Sequence, residues 1–145
     1  MGAVLLLRRE AVDEVGGFDE RFFMFSEETD LCYRMRAAGW TVEFCPDAEF
    51  SHVGGASTRL EWGRMYREQL RGHLLFLAKH ESVEGTERAR KLLVWALRLR
   101  GLLFRGERGR TYRQAAAWLS SGDARALASE AGLDVSVKRQ NHSTK

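Results

Sequence analysis

The chain has 145 residues, of which 44% are hydrophobic and 30% charged, and its formal net charge is +3. These values are typical of a globular domain and exclude disordered, collagen-like and disulfide-rich classes. No apolar run approaches the roughly 20 residues that span a bilayer. The only cysteines, Cys32 and Cys45, form no paired motif, so we expect a reduced, cytoplasmic protein without a zinc site of its own.

The charge is distributed unevenly along the chain. Residues 1–58 carry 5 basic and 11 acidic side chains, a net charge of −6, whereas residues 59–145 carry 18 basic and 9 acidic ones, a net charge of +9. So large a difference predicts two regions with different partners.

The acidic region shows alternating strand and helix patterns. The apolar run 3–7, the alternation over 40–45 and the segment 48–53 predict short strands. Helices are predicted over 9–15, where Gly16-Gly17 ends the pattern, and over 27–38, with Ser26 as the N-cap. This half of the chain is therefore expected to be α/β.

After Ser57 the pattern becomes helical. A capping box at Thr58 and Glu61 precedes apolar residues at helical spacing, namely Trp62, Tyr66, Leu70, Leu74 and Leu77. A second helix is predicted over 87–104, with an apolar stripe of Leu92, Ala96, Leu99 and Leu103. A third is expected after Thr111 and a fourth after Asp123, ending at Gly132. We thus divide the chain into an α/β region 1–58, a helical basic extension 59–132 and a flexible tail 133–145.

The densest chemistry lies at the start of the helix over 27–38. Glu27, Glu28 and Asp30 occupy its first turn, directly after a loop rich in phenylalanine. One interpretation is structural: the helix dipole stabilises these carboxylates, and Asp30 pairs with Arg34 at i, i+4. The other is a carboxylate that acts as a general base in an apolar pocket.

Two further features also admit two interpretations. His52 ends a predicted strand before Gly54-Gly55, and it is either a strand-end structural residue or a metal ligand. The basic helices over 87–110 either pack on the rest of the protein with solvated arginines or lie on an anionic membrane surface. Nucleic acid is not an expected partner, because no nucleic-acid-binding module is recognised in the chain.

At this point the residues match a known pattern. Residues 2–58 carry Arg8-Arg9 after an apolar run, the GGFDE turn of 16–20, the helix motif of 22–34, the AGW of 38–40, and a histidine before Gly-Gly. In this order and spacing they resemble the C-terminal half of the catalytic domain of family 2 glycosyltransferases. The likeness is to the bacterial rhamnosyl- and galactofuranosyltransferase-like branch.

The resemblance implies a fold and a set of site residues. It implies the acceptor-side half of a GT-A fold, an α/β sheet that binds a nucleotide-sugar, followed here by a basic all-helical region. It implies an inverting displacement in which Glu28, the second residue of the acidic pair, is the general base. It also implies that Phe18 and Asp19 contact the acceptor and that His52 is a metal ligand.

The resemblance also implies parts that this chain does not contain. The family's donor-binding half carries an Asp-x-Asp motif, and no Asp-x-Asp occurs in this sequence. A divalent metal, Mn²⁺ or Mg²⁺, is therefore expected in a complete enzyme and not in this chain alone. Catalysis is not expected without the donor half, because metal electrostatics and positioning supply much of the rate.

We accordingly expect a fragment of an inverting glycosyltransferase. It would move a sugar from a nucleotide-sugar to a glycan or lipid-linked acceptor in cell-envelope polysaccharide synthesis, in the cytoplasm or peripherally on the inner face of the cell membrane. The alternative is a non-catalytic remnant that serves as a membrane-surface or protein-binding module. Residues 87–110 are the candidate for membrane contact in either case.

Overall fold

The computed structural model describes residues 4–52 and 61–127. Within these ranges the helices are α1 (Arg9–Val15), α2 (Glu27–Ala37), α3 (Trp62–His80), α4 (Val83–Leu103) and α5 (Gly106–Ser120). Another helical segment occupies 122–127. Helices α1 and α2 pack on each other, while α3, α4 and α5 pack together, with the largest contact between α4 and α5.

The expected α/β class is wrong for the part of the chain that the structure describes. Residues 4–7, 40–45 and 48–52, the described parts of the predicted strands, form no β-strand, and nearly all of them are exposed. A strand is stable only when its N–H and C=O groups pair with a neighbour. Within the described ranges these three segments form no such ladder, so their alternating pattern does not produce a sheet.

An apolar groove lies where the sheet was expected. It has a volume of about 690 Å³ and is lined by residues 4–8 and 40–45, with Ala11, Cys32 and Met35 on the helical side. Several of the large side chains of these segments face solvent: Leu6 is 100% exposed and Phe44 is 88% exposed. The residues with sheet-forming patterns are thus gathered on one side of α1 and α2.

Within the described ranges the hydrophobic core forms three clusters. The first joins α1 to α2 through Ala11, Leu31 and Met35, and the second seats Phe22 of the aromatic loop on α3. The third and largest lies between α3, α4, α5 and the segment after it, and contains Leu70, Leu74, Val94, Leu97, Ala115, Ala116, Leu119 and Ala124. The helical patterns predicted for 9–15, 27–38 and the region after Trp62 are confirmed.

The buried face predicted for the second helix of the basic extension is wrong. Helix α4 begins at Val83, where the Ser82 hydroxyl accepts a hydrogen bond from Gly85 N at 3.0 Å, and not at residue 87. Its buried side carries Thr86, Arg90, Val94, Leu97 and Gly101. The predicted stripe faces solvent instead, with Leu92 68%, Leu99 43% and Leu103 69% exposed. Arg90 lies among the buried residues because its guanidinium donates to the Leu119 carbonyl and pairs with Glu87.

The remaining boundaries are corrected or lie outside the described residues. Helix α5 begins at Gly106, ahead of the start expected at Thr111. The Thr58 capping box, the domain boundary near 54–58 and the tail 133–145 fall on residues outside the described ranges.

Candidate functional site

A buried ionic cluster joins α2 to the end of α3. Asp30 is 0% exposed, and its carboxylate is contacted by three basic side chains. Arg34 Nε lies 2.7 Å from Oδ2, and His80 Nε2 lies 2.7 Å from Oδ1. Lys79 Nζ donates to the same carboxylate at 2.9 Å and also to Asp19 Oδ2 at 2.7 Å. We call these five residues the Asp30 network.

The Asp30 network keeps its carboxylates ionised. Burial by itself raises the pKa of Asp30, but hydrogen bonds from His80, Lys79 and Arg34 lower it more, to about 2 from the ordinary 3.8. Since an ionised carboxylate only accepts hydrogen bonds, His80 Nε2 carries the proton in its contact with Asp30. The hydrogen bond from Arg21 holds the pKa of Asp19 well below its usual range; partial burial opposes this and Lys79 assists it.

Arg34 also fixes the turn that follows α1. Its guanidinium donates to the carbonyl oxygens of Val15 at 2.6 Å and Gly17 at 2.7 Å. Gly16 and Gly17 both have positive φ, +76° and +73°, a conformation that side-chain-bearing residues rarely adopt. One side chain of α2 therefore sets the position of Phe18 and Asp19 relative to the helix.

A second turn, just before α2, is held in an unusual conformation. Phe25 and Ser26 have φ values of 68° and 70°, in the left-handed region. Ser26 precedes the helix as predicted, but its side chain makes no capping hydrogen bond, because its backbone is left-handed instead of extended. Gly72 of α3 lies directly beneath: a Cβ added there would come within 2.4 Å of Phe25 O. Non-glycine residues in this region cost about 1–2 kcal/mol each and persist only where their surroundings hold them.

The strained turn delivers Glu27 and Glu28 to the first turn of α2. Both side chains are half-buried, and one carboxylate oxygen of each is buried. Residues two apart on a helix lie about 200° apart, so Glu28 and Asp30 occupy nearly opposite faces. Glu28 instead shares its face with Cys32, one turn further on, which lines the apolar groove.

The other predicted site residues differ in their surroundings. Phe18 is 48% exposed on the turn after α1. The side chain of Asp19 is 14% exposed and is occupied by ion pairs to Arg21 and Lys79. His52 is exposed. The contacts assigned to Phe18, Asp19 and His52 stay predictions.

The described residues do not fit a divalent metal ion. Within 4–52 and 61–127 no three His, Cys, Asp or Glu side chains are grouped so that they could hold one. Asp30 does not supply such a donor, because its oxygens already accept hydrogen bonds from Arg34, Lys79 and His80.

Sequence reasoning identified the Asp30–Arg34 pair and missed its partners on α3. Lys79 and His80 lie some 50 residues further along the chain, beyond any local spacing rule. A weak signal was present: Lys79 follows the buried Leu75 by four residues, so a cation occupies an apolar position of the helix.

Comparison with known proteins identifies the family. The family model described as "Glycosyl transferase family group 2" matches residues 1–126. The chain belongs to this glycosyltransferase family. The predicted likeness to family 2 glycosyltransferases of rhamnosyltransferase type is thereby confirmed, since curated relatives carry that name.

Two such relatives show the extent of the similarity. N-acetylglucosaminyl-diphospho-decaprenol L-rhamnosyltransferase of Mycobacterium tuberculosis is 43% identical over 101 residues, which cover 67% of this chain and 30% of the relative. Rhamnosyltransferase WbbL of Escherichia coli is 30% identical over 78 residues, 54% of this chain and 30% of the relative. The chain thus spans about 30% of the length of these relatives.

No solved structure matches this family member significantly. Of the helices in the described ranges, none has both the length and the apolar character needed to cross a bilayer.

Proposed function

We propose that this chain is the acceptor-side part of an inverting glycosyltransferase in which Glu28 is the general base. The observation that carries the proposal is the division of the first turn of α2 between two faces. Asp30 is held on one face by hydrogen bonds from Arg34, Lys79 and His80. Glu28 lies on the other, one turn from Cys32 at the apolar groove.

This division supports different roles for the two nearby carboxylates. Asp30 is held by strong hydrogen bonds and has a pKa of about 2, so it is a poor proton acceptor. Glu28 lies two residues after Ser26, so the left-handed turn at Phe25 and Ser26 fixes where α2 presents it. A base must be correctly positioned before its pKa matters, and the turn before α2 supports the position proposed for Glu28.

The proposed step balances as a single displacement. Glu28 removes the proton of an acceptor hydroxyl, and the oxygen attacks the anomeric carbon of the donor sugar. The bond from that carbon to the nucleoside diphosphate breaks with inversion, and the diphosphate leaves. Phe18, on its exposed turn, is proposed to contact the acceptor, while Asp19 positions that turn through Lys79.

The substrates are proposed from the names of the relatives. Both are called rhamnosyltransferases, which supports a nucleotide-linked rhamnose as donor. The Mycobacterium relative is named for a diphospho-decaprenol acceptor, which supports a lipid-linked glycan in cell-envelope synthesis.

A chimera tests the base. The matching stretch of this chain would replace that of the Mycobacterium rhamnosyltransferase, and kcat would be measured for Glu28→Gln and for the matched control Glu27→Gln. We expect Glu28→Gln to lower kcat by about 10²- to 10⁴-fold, the usual effect of a general base. Nucleotide-sugar affinity should stay unchanged. A larger loss in Glu27→Gln, or a loss below about tenfold in Glu28→Gln, would refute the assignment.

A further inference from the structure

Helix α4 presents an apolar face to solvent, on the side opposite to the core. The helix buries Arg90, Val94, Leu97 and Gly101. On the other side Trp95 is 68%, Leu102 is 81% and Leu92 is 68% exposed. Together with Leu99 and Leu103 they form one stripe, which we call the outer face of α4. Such a continuous apolar strip on a helix is a sign of an interaction surface.

The flanks of the outer face are basic. Lys91 and Arg98 lie beside Trp95, and both are exposed. With Arg125 they line a cleft of about 320 Å³ at the edge of the stripe. Other exposed cations of the segment are Arg88, Arg100, Arg105, Arg108 and Arg110, against the exposed acids Glu84 and Glu107. Glu87 adds little negative charge, because it is paired with the buried Arg90.

This combination selects the kind of partner. A second copy bound about a two-fold axis would place the stripe against itself and bring Lys91 and Arg98 close to like charges. An anionic lipid surface has the opposite charge and accepts a convex apolar helix. A helix with tryptophan and leucine on one face and arginine and lysine at its flanks is the type that lies in the membrane interface.

We infer that the outer face of α4 binds the surface of an anionic membrane. Leu92, Trp95, Leu99, Leu102 and Leu103 enter the boundary between headgroups and acyl chains. Lys91, Arg98 and Arg125 contact lipid phosphates around the cleft beside Trp95. The helix lies in the plane of the membrane and does not cross it. The inference does not depend on the proposed glycosyl transfer, since binding needs neither donor nor acceptor.

Vesicle cosedimentation of the full chain tests the inference. Binding to phosphatidylcholine vesicles is compared with binding to vesicles in which about a third of the lipid is phosphatidylglycerol. We expect at least about tenfold stronger partitioning into the anionic vesicles, falling as salt screens the charges. Equal binding to both vesicle types, or no binding to either, would overturn the inference.

Matched variants locate the surface. Leu102→Glu should weaken binding by more than about tenfold, whereas Phe44→Glu, which also replaces an exposed apolar side chain, should leave it unchanged. Arg98→Glu should weaken binding by about 20- to 30-fold, because it changes the charge by two units and each unit changes the binding constant by about fivefold. Arg36→Glu, on α2, is the matched control, because it makes the same change of charge away from the outer face of α4. Circular dichroism checks that each variant is folded.

The competing outcome is that a second copy of the protein covers the outer face of α4. Analytical ultracentrifugation of the same samples reports the oligomeric state. A dimer that Leu102→Glu converts to monomer, together with equal vesicle binding by Leu102→Glu and Phe44→Glu, would assign the face to a second copy and refute the membrane.

Discussion

Replacing Asp30 by asparagine removes the anion that Arg34, Lys79 and His80 share. The amide is close in size to the carboxylate, so the packing between α2 and α3 is preserved and the charge is what changes. The three basic side chains are 18%, 13% and 9% exposed, so water does not readily replace the lost anion. Lys79 retains Asp19, but the described partners of His80 include no second carboxylate.

The magnitude follows from burial. Removing one partner of a buried ion pair costs about 3–5 kcal/mol, because the remaining charge stays desolvated. The retained Lys79–Asp19 pair places Asp30→Asn at the lower end, about 3 kcal/mol. For a chain of this length that loss lowers the melting temperature by about 10 °C. Unlike a loss of packing, it should be accompanied by release of the turn that Arg34 holds at Val15 and Gly17.

The chain provides a matched control for this measurement. Asp13 pairs with Arg9 at 3.0 Å and, like Asp30 with Arg34, at i, i+4, but the two side chains are 60% and 85% exposed. Asp13→Asn should therefore change the free energy of unfolding by less than about 0.5 kcal/mol. Urea titrations of the three proteins give the comparison. A cost for Asp30→Asn within about 0.5 kcal/mol of that for Asp13→Asn would refute the structural role of the network.

Two further predictions concern the same region. Because the pKa of Asp30 is lower in the folded protein, about 2 against 3.8, its contribution to stability is complete above 3.8 and is lost as the pH falls through about 2. Acid titration followed by circular dichroism should show this loss in the parent protein and in Asp13→Asn. A titration profile of Asp30→Asn that is the same as that of the parent would contradict the prediction. Gly72→Ala should cost about 1–3 kcal/mol, since its Cβ would lie 2.4 Å from Phe25 O. Gly63→Ala, whose Cβ meets Thr111 Oγ1 at 3.5 Å, is the control in the same urea assay; equal costs would show that the contact at Phe25 is not constraining.

The sequence predicts local structure well where a single segment contains all the information. The glycine pair after α1 and the apolar spacing of Leu31 and Met35 give α1 and α2 almost to the residue. The strands over 40–45 and 48–52 fail for a different reason: a strand depends on hydrogen bonds to a neighbouring strand, and the described residues form no such ladder. Alternation shows that a segment suits a sheet but not that a sheet forms.

The outer face of α4 shows a second limit of periodicity. Two arcs of this helix are apolar, and hydrophobicity favours the one that contains Leu92, Leu99 and Leu103. The structure buries the other arc, because the small Gly101 faces Arg113 of α5 and allows close helix packing. Arg90 is buried there because its charge meets Glu87 and a helix-end carbonyl. Small residues and a paired arginine carry no hydrophobic signal, so the orientation of the helix required its tertiary partners.

The three acids at the start of α2 are equivalent in the sequence and differ through their tertiary contacts. Asp30 and Glu28 are two residues apart, yet Asp30 is buried among basic side chains and Glu28 lies one turn from Cys32, which lines the groove. Loss of activity alone would not separate them, because unfolding of the Asp30 network would also displace Glu28. The pair of readouts does: a larger fall in melting temperature for Asp30→Asn than for Glu28→Gln marks Asp30 as the positioning residue, and a loss of kcat in the still-folded Glu28→Gln protein supports Glu28 as the base. The tertiary contacts of Lys79 and His80, about 50 residues away, are therefore what distinguishes Asp30 from the neighbouring acids.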